Sequence, residues 1–396
     1  MNATHESHSI PAKAVLYMAL ELGERKWKLG FTVAPAQPPR LREIAARDLI
    51  ALAVEIRLAK QRFGLPEDAT VASCYEAGRD GFWVHRALLA RGIDNRVVDS
   101  SSIEVNRRKR RAKTDRLDAE QLLKLLVRSQ NGERRAWSEV RVPSEDEENA
   151  RQLHRELQQL KEEQTAHTNR IKGLLTSYGI SMAVDRRFPQ RLEAARTWNG
   201  QRLPEDLSQR LLREFARMQQ LNGQIRHLER ERVRRLRDEE QDQGIQQMRQ
   251  LLRLRAIGPN MAWLAVREVF GWRQINNRRQ LASLAGLTPT PYASGGESRD
   301  QGISKAGNRR LRALLIEIAW RWLLYQPGSA LSQWFWQRFG HGSKRLRRIG
   351  IVALARKLLV ALWKYLRSGL PPEGAELVDW RGKLRCDTLS LTERAA

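Results

Sequence analysis

The chain has 396 residues, with 71 lysines and arginines against 45 aspartates and glutamates and a formal net charge of +26. A positive excess of this size indicates a polyanionic partner, and nucleic acid fits it better than a membrane surface does. The two cysteines, Cys74 and Cys386, are too few and too far apart for a disulfide framework or a zinc site. We therefore expect a cytoplasmic protein.

No membrane segment is predicted. The first residues, Met1–Pro11, lack the apolar stretch that a signal peptide requires. Two longer apolar segments, Leu311–Tyr325 and Ile349–Leu366, are interrupted by charged residues such as Glu317 and Lys357. Both segments are therefore predicted to be buried helices of a folded domain.

The first region, residues 13–136, mixes strand and helix patterns. Gly23 and Glu24 separate two apolar stretches and indicate a hairpin, and strands and helices then alternate. This order predicts an α/β domain with a central mixed sheet. The predicted elements are strands at Lys13–Leu22 and Trp27–Val33, a helix over Leu41–Phe63, a strand at Ala69–Tyr75, a helix around Phe82–Arg91, a strand at Arg96–Val98 and a helix from Asp115 to about Arg128.

The second region, residues 143–249, is highly charged and has helical periodicity. Apolar residues recur at steps of three and four along Leu153–Leu174 and again along Leu207–Leu228. Such a narrow apolar seam is typical of a coiled coil. Helix-breaking residues between Gly179 and Pro204 separate the two segments. The pattern fits an antiparallel helical hairpin within the chain and also fits helices that pair between subunits.

The third region, residues 251–370, is predicted to be mainly helical, and the tail at 371–396 is uninformative. Leu254–Val269 resembles two helices joined by a glycine turn, which would either present backbone N–H groups to a DNA phosphate or form a simple corner. A loop rich in serine and glycine is predicted at Tyr292–Gly302, followed by a strongly basic helix from Asn308.

Four acidic residues of the first region are candidate metal ligands. Glu21 ends the first predicted strand and Glu76 follows the third, while Asp115 and Asp118 are three residues apart and share one helix face. Carboxylates at strand ends and on a nearby helix can converge on Mg²⁺, which prefers oxygen ligands. The alternative is that these carboxylates are ordinary solvated surface residues.

Two groups of basic residues are candidate phosphate contacts. The first directly precedes Asp115 and is either a phosphate-binding strap or a solvated surface segment. The second lies close to Ser294, which is followed by two glycines. Ser294 is either part of a simple turn or a hydroxyl left open to a scissile phosphate. The basic candidates are Arg107, Arg108, Lys109, Arg110, Arg111 and Lys113 in the first group, and Lys305, Arg309 and Arg310 in the second.

An ordered set of segments resembles the DEDD transposases of the IS-one-ten group of insertion sequences. The resemblance extends from roughly Val15 to Trp322, and its most specific parts are the Lys-Thr-Asp-x-x-Asp-Ala and Gly-Asn-Arg-Arg-Leu-Arg segments. The matching segments are Ala19–Leu22, Cys74–Gly78, Lys113–Ala119, Ala285–Pro289, Ser294–Gly296 and Ile303–Arg312.

The resemblance implies an α/β plus α architecture. It implies an RNase-H-like (RuvC-like) catalytic domain at 13–136, a coiled-coil region at 143–249 and a C-terminal transposase domain with a serine loop at 251–370. Family members are homo-oligomers, dimers or tetramers, that act on element ends and target DNA. Some of them are guided by a bridge RNA. The resemblance thus implies a nucleoid-associated recombinase.

The resemblance also implies a mechanism. Glu76, Asp115 and Asp118 match the family's second, third and fourth Mg²⁺ ligands, and Ser294 matches the nucleophile that forms a phosphoserine intermediate. The acidic site of a partner subunit would lie beside that serine. Glu21 stands where the family has aspartate, which implies an altered first ligand, a copy with reduced activity or a site completed by Asp99.

Two other functions also fit the residues. One is a nuclease related to Holliday-junction resolvases, with water as the nucleophile and Ser294 in a turn. The other is a non-catalytic nucleic-acid-binding protein with solvated carboxylates. Substitution of Ser294 separates the first from a serine recombinase, and substitution of Asp115 tests the second.

Overall fold

The computed structural model describes residues 15–34, 37–78, 81–103, 115–133, 136–294, 297–382 and 384. For residues 101, 115–117, 291–294 and 297–301 it describes the backbone alone. The chain divides into two units, Met1–Pro143 and Ser144–Ala396.

The first unit is built on a five-stranded sheet in the order β3-β2-β1-β4-β5. The first three strands form an antiparallel meander, whereas β4 and β5 run parallel to β1. The strands are β1 (Val15–Leu22), β2 (Lys26–Thr32), β3 (Arg40–Ala45), β4 (Thr70–Glu76) and β5 (Asp94–Val98). The predicted hairpin and mixed sheet are therefore confirmed.

Both faces of this sheet are buried, so its inner strands are almost continuously apolar. Leu16 and Leu20 of β1 belong to the core under α1 (Leu49–Arg62) and α2 (Trp83–Leu89). Ala19 belongs to a second core, against α3 (Asp115–Gln130), in which Leu122 and Leu126 are buried. Burial of each such leucine stabilises the fold by about 2 kcal/mol.

The prediction of one continuous helix over Leu41–Phe63 is wrong in its first part. Residues Arg40–Ala45 form β3, which pairs with β2, and α1 begins only at Leu49. Arg47 has a φ of +68°, which a helix cannot accommodate. Asp48 then caps α1, and its side chain accepts hydrogen bonds from the N–H groups of Ile50 and Ala51 at 3.1 and 2.8 Å.

The second unit is mainly helical, and its only strands among the described residues form one hairpin. The helices are α4 (Glu145–Asn149), α5 (Gln152–Thr176), α6 (Phe188–Ala194), α7 (Glu205–Asp238), α8 (Gln243–Leu252), α9 (Pro259–Ala265) with a π-helical turn at Val266–Phe270, α10 (Arg278–Leu284), α11 (Arg309–Tyr325), α12 (Ala330–Phe339) and α13 (Lys344–Ser368). The strands are β6 (Pro289–Ser294) and β7 (Glu297–Ile303).

Helices α5 and α7 form an antiparallel pair within the chain. Lys161 Nζ contacts Glu229 Oε1 at 2.5 Å, and Arg170 Nη1 contacts Glu214 Oε2 at 2.7 Å. As residue numbers rise along α5 they fall along α7, which defines the antiparallel direction. Of the two arrangements that fit the seam pattern, the structure shows the intrachain hairpin.

The predicted serine- and glycine-rich loop at Tyr292–Gly302 is a β-hairpin instead. Its strands β6 and β7 pair from Pro289 opposite Ile303 to Ser294 opposite Glu297. Only two residues, both glycines, separate the last pair in sequence, and a two-residue glycine connection is a known hairpin signal. The turn-forming residues were recognised, but the polar strands on either side lack the apolar alternation that identifies most strands.

The helices of the second unit enclose a large apolar core that includes Trp263, Trp322, Phe335 and Leu358. In the part of the chain that the structure describes, no helix combines the length and apolarity needed to cross a bilayer.

Candidate active site

Three carboxylates lie at one edge of the first unit's sheet. Leu20 of β1 is opposite Tyr75 of β4, so the next residues, Glu21 and Glu76, are neighbours on adjacent parallel strands. Glu76 is in turn opposite Val98, the last residue of β5, and Asp99 follows directly. We call Glu21, Glu76 and Asp99 the acidic edge. Neighbouring strands are about 4.8 Å apart, which is close enough for two adjacent carboxylates, those of Glu21 and Glu76, to share a cation.

Helix α3 lies on the same sheet and carries the two remaining acidic candidates. A Cβ atom on Gly30 would lie 3.8 Å from the carbonyl oxygen of Ala119. Gly30 is opposite Ala19, two residues before Glu21, so the turn of α3 that holds Asp118 packs close to the acidic edge. Among the side chains that the structure describes, no group of three or more acidic, histidine or cysteine residues is positioned to hold a metal ion.

Some sequence candidates lie partly or wholly outside the atoms that the structure describes. Asp115 is the first residue of α3, but its side chain lies outside the described atoms. The basic residues Arg107–Arg111 and Lys113 lie outside the described residues altogether. Their positions relative to the acidic edge therefore stay predictions.

Cys74 of β4 contacts helix α3 where the helix packs on the sheet. Its Sγ is 3.7 Å from the carbonyl oxygen of Leu122, and the residue is completely buried. Burial, with a smaller contribution from the charge of Glu139, raises the pKa of the Cys74 thiol well above its ordinary range. A buried, protonated thiol is a structural group and not a nucleophile.

The serine candidate belongs to the second unit. Ser294 is the last residue of β6, and its side chain lies outside the described atoms. Lys305 follows β7, and Arg309 and Arg310 form the first turn of α11; all three are exposed. Strand β6, which ends at Ser294, and the predicted phosphate contacts thus belong to one continuous segment of the sequence.

Two of the family-like segments come together at the base of this hairpin. The N–H groups of Ser304 and Lys305 donate to the carbonyl oxygens of Thr288 and Gly286 at 2.9 and 3.2 Å. The N–H of Asn308 donates to the carbonyl oxygen of Leu284 at 2.8 Å. We call this contact between residues 284–288 and 304–308 the hairpin base. It connects the β6–β7 hairpin, which carries Ser294, to helices α10 and α11.

Two glycines allow the close approach of the two backbone segments at the hairpin base. Gly286 has a φ of +64°, and a Cβ there would lie 2.4 Å from the carbonyl oxygen of Ala306. Gly307 has a φ of +121°, and a Cβ there would lie 2.5 Å from the carbonyl oxygen of Leu284. No other residue type fits either position without displacing backbone.

A buried charged cluster, which the sequence pattern does not predict, joins α5, α7 and the π-helical turn. Glu268 is buried and accepts two hydrogen bonds from Arg155, at 2.7 and 2.9 Å. Arg232 donates to the Asn260 side chain at 2.6 Å, and its guanidinium lies 5.7 Å from the ring centroid of Trp263. Because the residues that interact in this cluster are far apart in sequence, no local sequence pattern predicts their contacts.

His154 lies in the same cluster and is buried in the neutral form. Neither ring nitrogen has a hydrogen-bond partner among the described residues. Burial, reinforced by the charge of Arg232, lowers the pKa of His154 from 6.5 to about 4. The folded state therefore binds this proton less readily than the unfolded state does.

We expect the His154→Leu variant to have a weaker pH dependence of unfolding than the wild type between pH 6.5 and 4.5. In the wild type the contribution of this residue is fully present above pH 6.5 and is lost as the pH falls towards 4, a loss of about 3 kcal/mol. Chemical denaturation at several pH values measures the difference. His227→Leu, at an exposed histidine of α7, is the control and should keep the wild-type slope. Equal slopes in both variants would contradict a buried neutral His154.

Comparisons with known proteins cover both units. The family profile described as "Transposase IS116/IS110/IS902 family" matches residues 248–333. A second profile, for the DEDD transposase domain of IS110 elements, matches residues 53–180. The first match includes the hairpin base and Ser294, and the second includes Glu76, Asp115 and Asp118.

Several curated proteins are similar to this chain. A putative transposase of Sinorhizobium fredii, y4rJ, is 43% identical over 379 residues, which cover 91% of this chain and 94% of the relative. The transposase for insertion sequence element IS1328 of Yersinia enterocolitica is 30% identical over 57% of this chain and 65% of its own length. The transposase for IS1111A of Coxiella burnetii is 24% identical over 71% of this chain and 74% of its own length.

Proposed function

The chain belongs to the IS116/IS110/IS902 family of transposases, and from this premise we propose that it moves an insertion sequence by Mg²⁺-dependent strand cleavage and rejoining through a serine nucleophile. The observation that carries the proposal is the coexistence of an acidic strand edge in the first unit with a serine-bearing hairpin in the second. The hairpin lies within one matched family profile, and Glu76 and Asp99 of the acidic edge lie within the other.

The first unit is proposed to have an RNase-H-like fold. Its sheet has three antiparallel strands followed by two strands parallel to the first, with helices on both faces. This arrangement agrees with the DEDD domain that the sequence matches. Residues 13–136 are proposed as this catalytic domain, 143–249 as a coiled-coil region and 251–370 as the transposase domain.

The donor chemistry of the acidic edge fits Mg²⁺. Glu21 and Glu76 offer hard carboxylate oxygens from neighbouring strands, and Asp118 lies on the helix packed against them. Asp115, one helical turn before, is the fourth proposed ligand. When bound there, Mg²⁺ stabilises negative charge on the attacking and leaving oxygens of a phosphodiester.

The hairpin is proposed to deliver the nucleophile. The Oγ atom of Ser294 forms a bond to the scissile phosphorus as the bond to the deoxyribose oxygen breaks. The serine proton is lost to water, and the released deoxyribose oxygen takes one up. Lys305, Arg309 and Arg310 neutralise the phosphate, and the hairpin base limits how far the serine can move. Another strand's hydroxyl then attacks the phosphoserine phosphorus and forms the new phosphodiester as the bond to the Ser294 Oγ atom breaks. The hydroxyl loses its proton to water, and the Oγ atom takes one up.

The proposal also assigns nucleic-acid binding to the other basic residues and a homo-oligomeric active form to the protein. Arg107–Arg111 and Lys113 are proposed to bind nucleic-acid backbone next to the acidic ligands on α3. The net charge of +26 suits simultaneous binding of DNA and a bridge RNA. As the family resemblance implies, a homo-oligomer in which one subunit's serine meets another subunit's carboxylates is the proposed active form.

A strand-exchange assay on the element's own ends tests this function. Purified protein, both end duplexes and the transcript of the flanking non-coding DNA are combined with Mg²⁺ or with EDTA. We expect recombinant product only when both Mg²⁺ and the transcript are present. Product in EDTA would refute the metal requirement, and product without the transcript would refute RNA guidance. Hydrolysed ends without rejoining would indicate a nuclease that uses water.

A further inference from the structure

The amino-terminal part of α13 projects beyond the core of the second unit. Residues Lys344–Ile349 are all exposed, and Gly350 is the first buried residue of the helix. At Gly350 a Cβ atom would lie 2.5 Å from the ring of Phe339, so α12 packs closely against α13 from this point onward. We call Lys344–Ile349 the α13 tip.

The charge of the tip is concentrated and not compensated locally. Four of its six residues are cations, and the whole sequence between Glu317 and Glu373 contains no acidic residue. Within the described part of the chain, none of the ion pairs involves these four cations. Exposed Arg338, near the end of α12, adds a further positive charge. The four tip cations are Lys344, Arg345, Arg347 and Arg348.

The position of these cations is unfavourable for the helix itself. The amino end of a helix carries a partial positive charge that favours acidic residues. Lys344 and Arg348 are four residues apart, and like charges at that spacing repel each other. Ser343 does cap the helix, and its Oγ accepts from the N–H of Leu346 at 3.3 Å. The cap stabilises the helix, but a bound polyanion is needed to turn the charge cluster into a favourable feature.

The shape of the tip selects the class of nucleic acid. Helix α12 and α13 are joined by four residues, Gly340–Ser343, as in helix–turn–helix motifs that present the second helix to DNA. Leu346 and Ile349 are 40% and 53% exposed on the tip, where they can contact thymine methyl groups. A helix fits the major groove of B-form DNA but not the deep, narrow major groove of double-stranded RNA.

We infer that the α13 tip docks in the major groove of duplex DNA, with its four cations on the phosphates that border the groove. This inference rests on the proposed function for its choice of DNA as the substrate, and it adds a docking element separate from the serine hairpin. Arg338 contacts the backbone on the α12 side. The tip holds a duplex in place and takes no part in the chemical step.

Equilibrium binding of a duplex from the element's end, measured by fluorescence anisotropy over a series of salt concentrations, tests the inference. The test variant replaces Lys344, Arg345, Arg347 and Arg348 with glutamine. The matched control replaces four exposed arginines of α7, Arg210, Arg213, Arg226 and Arg230, with glutamine. Both variants lose the same charge, and all eight positions are exposed, so both should fold.

We expect the tip variant to weaken duplex binding at least ten-fold at moderate salt. The slope of log K against log salt should fall by about 3 to 4, because each phosphate contact contributes about 0.9. The α7 control should keep a slope close to that of the wild type. Leu346→Ala combined with Ile349→Ala should reduce the preference for the element's end over unrelated duplex without changing the slope.

Two results would overturn the inference. One is an equal loss of duplex binding in the tip variant and the α7 control, which would make the tip simply part of the overall charge. The other is weakened binding of the single-stranded transcript with unchanged duplex binding, which would assign the tip to RNA. Strand exchange at saturating DNA is measured in parallel. If the wild type exchanges no strands, the proposed function fails, while the binding comparison still decides the role of the tip.

Discussion

Replacing Ser294 with alanine is expected to abolish strand exchange, with a loss of at least about 10⁴-fold in rate, while duplex binding stays within two-fold of the wild type. Removal of the Oγ atom leaves no group to form the bond to phosphorus. Alanine is compatible with the end of a strand, and the hairpin base does not involve this side chain, so the fold should be retained.

Covalent trapping tests directly whether Ser294 is the nucleophile. Wild-type protein incubated with Mg²⁺ and a nicked end substrate should yield a protein–DNA adduct on a denaturing gel, and Ser294→Ala should yield none. Ser298→Ala, a substitution in the facing strand of the same hairpin, is the matched control and should form the adduct normally. If Ser294→Ala cuts DNA as fast as the wild type, water is the nucleophile and the serine mechanism is wrong.

Neutralising Glu76 is expected to have the second largest effect. Glu76→Gln should lower the rate of strand exchange by about 10³-fold, because the amide cannot supply the negative charge that holds Mg²⁺ beside the scissile phosphate. Glutamine keeps the size and shape of the glutamate side chain, so the fold should be retained. Loss of activity without loss of stability separates a ligand from a structural residue.

The control is a glutamate near the other end of the same strand. Glu67 is an exposed residue just before the amino end of β4, at the opposite edge of the sheet. Glu67→Gln should keep full activity and the same Mg²⁺ dependence as the wild type. Partial recovery of Glu76→Gln at high Mg²⁺ would support a weakened metal site. Full activity of Glu76→Gln at low Mg²⁺ would remove Glu76 from the ligand set.

The elements that sequence predicts well are those whose signal is local. The β1–β2 hairpin, strand β4 and helix α3 each have a clear apolar pattern and a breaking residue at one end. Strand β3 was missed because it is an edge strand, held by pairing with β2 and by the contact of Arg40 with Glu55 at 2.6 Å. Neither interaction is visible in the pattern of residues 40–45 themselves.

In the candidate site, too, some features have a local sequence signal and others depend on tertiary contacts. The sequence predicts that Glu21 and Glu76 lie at or near the ends of strands. Their adjacency, however, depends on the register between β1 and β4. The clustering of Arg155 with Glu268 depends on how α5 meets the π-helical turn. Register and helix packing are tertiary properties, because they are decided by cores built from residues distant in sequence.

The paired helices α5 and α7 act mechanically as a stiff arm. Val233 and Leu236, near the end of α7, are anchored in the large core of the second unit, whereas α7 begins at Glu205. At 1.5 Å per residue the arm extends roughly 40 Å from its anchor. A tilt of about 5° at the anchored end would therefore displace the far end by roughly 3 to 4 Å, which is about the rise of one base pair. Small changes in packing at the core would therefore move the end of the arm by about one nucleotide step.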